Sequence, residues 1–304
     1  MNKLIALLAL MVASSMAIAQ AGGATPSTTP GQTQAEPGQA APATGAQAAP
    51  APTGKRQPQA KTQEEFAAFN EASQKPDPAA MEQSAADFVK KFPDSELKAA
   101  LYQNLMLKYQ NANNAEKVIE TGRQTLKYDP DNAVALVTVA STLANRTRET
   151  DLDKDERLAE AQKDAKHAIE LMDSGNGVPA NMAPDQASSY KETIDAMAYG
   201  ALGQAEFVNK NYAGAEQNLR KSTGYTNIQP DPIAWFQLAL ALDQQGKYAD
   251  AEQAAEKCIA VANGHPVAQY CKQESAHAKQ AAANPPAKAP AATSGPVPTT
   301  VTPK

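Results

Sequence analysis

The stretch AWFQLALALDQQGKYADAEQAAEKCIA, running from Ala234 to Ala260, decides the fold. It opens on bulky Trp235, places Leu238 three positions later with the small Ala239 beside it, and breaks at Gly246-Lys247-Tyr248. It then resumes as a second Ala-rich run through Ala251 and Cys258. Apolar residues three and four apart, set among Ala, Leu, Gln, Glu and Lys, predict two amphipathic helices. The glycine between them supplies a turn. The stretch therefore reads as a helix pair, closed by Pro266.

The same grammar recurs upstream. Tyr102, Leu105, Met106 and Tyr109 begin a helix that NANN interrupts and AEKVIETGRQTLKYDPDN follows. Asp129-Pro130 ends that second helix, because proline blocks continuation and steers the residue before it away from the helical region. Leu136, Val139, Ala140 and Leu143 start the next pair, completed by AEAQKDAKHAIELMD, and Tyr199, Leu202 and Gly203 lead into NKNYAGAEQNLRKS. The spacing is about 34 residues where nothing is inserted. Gly203, Ala215, Ala239 and Ala251 are expected where helices cross, with Trp235, Tyr102, Tyr199 and Leu238 filling the space between.

With these residues aligned, the chain resembles the tetratricopeptide repeat family in its exported bacterial (periplasmic) form. The resemblance implies an all-α fold of helix-turn-helix repeats stacked into a right-handed superhelix with a C-terminal capping helix. The units are expected at about 63–98, 99–132, 133–174, 184–228 and 232–265, with a cap over 266–282. QEEFAAFNEASQ enters a degenerate first unit, and VAQYCKQESAHAKQAA forms the cap. Two features depart from the family pattern: an insertion, RTRETDLDKDERL, between the helices of the second full unit, and a linker, SGNGVPANMAPDQASSYKE, before the third.

The ends differ from this body. MNKLIALLALMVASSMAIAQ has Lys3, an apolar run of about ten residues and Ala17-Ile18-Ala19, which is the layout of a secretory signal peptide over 1–19. Residues 20–61 and 283–304 are rich in Pro and Ala and poor in large apolar side chains, so both are expected to be disordered. The repeat domain is assigned to 62–282, and the mature chain to the periplasm or medium, with no integral membrane segment after cleavage. That domain holds all but one of the 33 acids but only 22 of the 28 bases. Its acidity argues against nucleic acid and anionic lipid, leaving proteins as the partner class.

Candidate chemistry is sparse. Asp151, Asp153 and Asp155 alternate as in a calcium loop, but the turn glycine and the closing Glu are missing. Cys258, His265, Cys271 and His277 follow C-x6-H-x5-C-x5-H, which leaves a zinc site, two buried thiols or a disulfide open. Export and an even count favour a Cys258–Cys271 disulfide. No nucleophile elbow, P-loop or HExxH motif is present, so the expectation is a non-enzyme with no cofactor, no metal and no small-molecule substrate.

The family resemblance implies that the first helix of each pair lines a groove for a protein or peptide partner. Helical phase then assigns Gln103, Leu107, Gln110 and Asn111, then Ser141 and Asn145, then Gln204 and Phe207, then Phe236, Leu240, Asp243 and Gln244 to that groove. It is amide-rich, with Phe207 and Phe236 as expected aromatic anchors, and lacks the Lys/Arg pairs with which relatives clamp acidic C-terminal peptides. The function this implies is an exported scaffold in envelope assembly, secretion or division. The alternative is a docking subunit of a wall-active or proteolytic enzyme system.

Overall fold

The computed structural model describes residues 54–180 and 182–284. The expected signal peptide, the linker up to residue 53 and the tail beyond 284 lie outside these residues. Eleven helices are present among them: α1 (Gln63–Ser73), α2 (Pro78–Lys91), α3 (Lys98–Asn111), α4 (Ala115–Tyr128), α5 (Ala133–Arg146), α6 (Lys154–Asp173), α7 (Pro184–Val208), α8 (Tyr212–Thr223), α9 (Pro232–Asp243), α10 (Tyr248–Val261) and α11 (Val267–Ala283). Among the described residues the only β interaction is an isolated parallel bridge between Lys55 and Pro179.

The chain divides into two compact units. The first holds α1 to α6 and α7 as far as Ala198; the second holds the loop Arg148–Leu152 and everything from Tyr199 on. In the first unit, α1 packs on α2, α3 on α4 and α5 on α6, while α2 with α3 and α4 with α5 join one pair to the next. In the second, α9 packs on α8 and α10, and α11 covers both α9 and α10. The helix-turn-helix pairing implied by the repeat grammar is thus what the described residues form.

The turns explain why the pairs close alike. Asn113 (φ 55°), Lys210 (φ 61°) and Gly246 (φ 71°) occupy the left-handed region just before the N-caps Asn114, Asn211 and Lys247. The next amide in each returns to a carbonyl of the preceding helix: Asn114 to Tyr109 at 3.0 Å, Asn211 to Glu206 at 2.9 Å, Lys247 to Leu242 at 3.0 Å. These are helix-terminating bonds that satisfy otherwise orphaned carbonyls. Asn114 and Asn211 also accept the N–H of Lys117 and Gly214, capping the helix that follows.

Small residues sit at the crossings. Ala215, Ala239 and Ala251 are fully buried. A Cβ on Gly122 would lie 2.3 Å from Val139 of α5 and 3.1 Å from the Met106 sulfur of α3, so only glycine lets α4 approach both. Half-buried Trp235 packs against the cluster of Leu219, Leu238 and Leu242 and also against Cys258 and Cys271. Those cysteines are joined as a disulfide between α10 and α11, Cα atoms 6.0 Å apart.

The structure departs from the sequence reading at the edge of the linker. Residues 54–61, assigned to the disordered segment, are placed against the first unit by Lys55 and Arg56, the first charges after Glu36.

Candidate functional site

The site is built on the first helices of the first unit. A pocket of about 470 Å³ is lined by Phe69 of α1, by Ala99, Ala100 and Gln103 of α3, by Ala133 and Val134 of α5 and by Tyr190 of α7. The α4–α5 turn supplies Tyr128, Asp129, Asp131 and Asn132. That turn is rigid for local reasons. Asn132 caps α5 by accepting the Ala135 N–H at 3.0 Å, its own N–H bonds the Asp129 carbonyl, and its side-chain amide donates to Gln103 at 2.8 Å.

One wall is the segment Gly54–Gln59, which contributes Lys55, Arg56, Gln57 and Pro58 to the lining and forms the β-bridge at Lys55. The Lys55 N–H donates to the Val178 carbonyl at 2.7 Å, and the Ala180 N–H donates to the Lys55 carbonyl at 2.8 Å. The Lys55 ammonium donates to both Asp129 carboxylate oxygens, at 2.5 and 2.7 Å, and to the Asp131 carbonyl at 2.7 Å. Arg56 bonds both oxygens of Glu96 at 3.0 and 2.9 Å, and the Gln59 N–H reaches the same carboxylate at 3.2 Å. The Gln59 amide and then the Arg56 guanidinium hold the Glu96 carboxyl below the usual carboxylate range. Burial, and after it the charge of Asp129, pushes the Tyr190 phenol up, so Tyr190 stays a neutral wall. Chemically, the arrangement holds an extended backbone and neutralises basic side chains.

Of the residues assigned by helical phase, Gln103 alone lines this pocket. It is buried, and its carbonyl is committed to Asn132. Leu107 is also buried, in the core, because α3 is covered on more faces than a two-helix phase argument allows; it offers no surface to a partner. Gln110 is half-buried and Asn111 exposed. In the second unit Gln204 and Leu240 are half-buried and Gln244 is exposed. The expected anchors are only partly free. Phe207 packs on its own core and stands edge-on to Tyr212 at 5.4 Å, and Phe236 lies 6.2 Å from Tyr270, which is 59% exposed.

The sequence reading missed Lys55, Arg56, Glu96, Asp129, Asp131 and Tyr190. One signal was available: the Lys-Arg pair that interrupts a nearly uncharged linker. It also missed a second constellation, which belongs to the second unit. Asp243 of α9 meets Glu274 and His277 of α11, with one ligating atom from each within 4.8 Å of the others. The buried Asp243 Oδ1 lies 3.1 Å from His277 Nδ1, and the buried Glu274 Oε1 has no hydrogen-bond partner. Burial, then repulsion from Asp243, raises the Glu274 carboxyl, with His277 opposing.

No family profile and no curated protein matches the chain. Among solved structures it is similar to PilW, a widely conserved type IV pilus biogenesis factor, at 19% identity and TM-score 0.46, covering 73% of this chain and 94% of that one. It is similar to MamA at 18% identity and TM-score 0.37, covering 63% and 98%. It is also similar to a tetratricopeptide repeat protein from Parabacteroides merdae at 17% identity and TM-score 0.30, covering 74% and 93%. All three scores lie below 0.5, so the fold rests on the helix pairs themselves. Among the described residues no helix is long and apolar enough to cross a membrane.

Proposed function

We propose that this protein is an exported, non-enzymatic scaffold that binds extended segments of other proteins on the first-helix face of its first unit. The observation that carries the reading is the seat of Gly54–Gln59. A stretch with no large apolar side chain is held there by backbone pairing to Val178 and Ala180 and by Asp129 and Glu96. A face that holds one extended chain this way is equipped to hold another, since main-chain bonds supply affinity that does not depend on sequence. The pocket beside it has apolar walls at Phe69, Ala99, Ala100 and Val134 for a partner's side chain, and none of its lining residues is Ser, Thr, Cys or His. Export rests on the signal-peptide layout of residues 1–19, and work in the cell envelope follows from it. Gln110, Asn111, Gln204, Phe236, Leu240 and Gln244 remain proposed as secondary contact positions.

A photo-crosslinking residue at Ala100, in the full-length protein expressed in its own cells, tests this. Covalent protein adducts should form from Ala100 and not from Glu256, an exposed position on α10. Equal labelling from both positions, or none from Ala100, would remove the assignment.

A further inference from the structure

The segment that walls one side of the pocket has the chemistry of a ligand rather than of a structural strand. It makes a single β-bridge, buries no apolar anchor of its own, and is fixed by charge. Three acceptors, both Asp129 oxygens and the Asp131 carbonyl, converge on one ammonium, a geometry suited to the compact charge of lysine. One guanidinium nitrogen of the next side chain, Nη2, meets both oxygens of Glu96, while Nη1 donates to the Gln57 carbonyl. Two adjacent basic side chains are thus each met by a carboxylate of their own.

The contacts are also reversible in kind. The Lys55 side chain is 32% exposed and the Arg56 side chain 65%, so water and salt reach both pairs. A covalently attached segment makes up for weak contacts by its high effective concentration.

Resting on the peptide-binding reading above, we propose that the seat formed by Glu96, Asp129, Asp131, Val178 and Ala180 beside the pocket recognises extended peptides carrying an adjacent Lys–Arg pair, and that Gly54–Gln59 is its tethered occupant, which a partner must displace. The chain then screens its own site: low-affinity basic segments are excluded, and a partner succeeds by adding contacts in the neighbouring pocket that the tether does not make.

The test is fluorescence anisotropy with a labelled peptide of residues 53–60, TGKRQPQA, and a control in which its Lys and Arg are replaced by Ala. Three full-length proteins are compared: the wild type, Lys55→Ala/Arg56→Ala, and that double variant with Asp129→Asn added. The basic peptide should bind the double variant at least tenfold tighter than the wild type. Asp129→Asn should reverse at least tenfold of that gain, and the control peptide should bind none of them. Binding should weaken with added salt. Because Asp129 also packs against Asn132, Glu96→Gln on the exposed rim repeats the arm without touching the α4–α5 turn.

Equal peptide binding to wild type and double variant would overturn the proposal. So would a double variant that melts earlier yet binds no peptide, since the segment would then be a structural latch only. Adducts from Ala100 together with no TGKRQPQA binding would sink the Lys–Arg specificity and leave the scaffold reading standing.

Discussion

Gly203 of α7 lies so close to Leu219 of α8 that a Cβ built on it would stand 2.5 Å from the leucine Cγ and 3.3 Å from the Ala215 carbonyl oxygen. The Leu219 side chain of α8 fills the space that a methyl group on Gly203 would need. Gly203→Ala is therefore expected to destabilise the second unit by about 1–3 kcal/mol through overpacking. Gly200, one turn earlier, faces only the Ser222 hydroxyl at 3.3 Å. Gly200→Ala should be neutral or stabilising, by up to about 1 kcal/mol from helix propensity. Urea denaturation of both variants decides this; a Gly203→Ala protein as stable as Gly200→Ala would refute the close crossing.

The α7–α8 turn carries a lysine where the α9–α10 turn carries glycine. Lys210 holds φ 61°, a region that costs a non-glycine residue about 1 kcal/mol, and its ion pair with Glu149 is exposed at both ends. Lys210→Gly should raise stability by about 0.5–1 kcal/mol. Gly246→Ala should lower it by about 1 kcal/mol from backbone strain alone, because no atom lies within 4 Å of the new Cβ. Thermal melts showing the opposite signs would mean the two turns do not share this conformation.

Asp164 on α6 gives a pH signature. Burial, then repulsion from Glu160, raises its carboxyl from 3.8 to about 6, against the pull of Lys163, His167 and Arg123. A carboxylate raised on folding favours the folded state below its unfolded pKa, and that contribution is lost as pH rises through the folded value. The window therefore runs from about pH 4 to pH 6 and just above. Asp164→Asn should match the wild type near pH 4 and exceed it at pH 7, by an amount on the order of 2–3 kcal/mol. A difference that does not change between pH 4 and pH 7 would contradict the shift.

Cys258 and Cys271 close a loop of 13 residues between α10 and α11. Closing it should stabilise the second unit by about 3 kcal/mol, so reductant should lower the melting temperature. Intact protein isolated without reductant should be two hydrogens lighter than the dithiol; two alkylatable thiols would show that the pair is not oxidised in its own compartment.

The repeat was legible in the sequence because local chemistry repeats with it. The turns at Asn113 and Gly246, the asparagine caps and the small residues at Gly203, Ala215 and Ala239 each mark one element at a fixed offset. The site was not legible for the opposite reason. Lys55 meets Asp129 across 74 positions and Arg56 meets Glu96 across 40, and no period links them. Helical phase named Gln103, which lines the pocket, but could not foresee that Asn132 occupies its amide. It also exposed Leu107, because phase on one helix does not count the neighbours that cover it. The composition rule that assigned 54–61 to the linker averaged over two charged residues whose partners lie far along the chain.

The central claim is that the first-helix face of the first unit is a seat for extended chain. Hydrogen–deuterium exchange on the full-length protein tests it most directly, because the Lys55 and Ala180 amides are bonded only if the segment is seated. Peptides covering 54–60 and 177–182 should exchange several-fold slower than the same peptides free in solution, and Asp129→Asn should speed both together. Exchange at the free-peptide rate in the wild type, or protection indifferent to Asp129→Asn, would contradict the account.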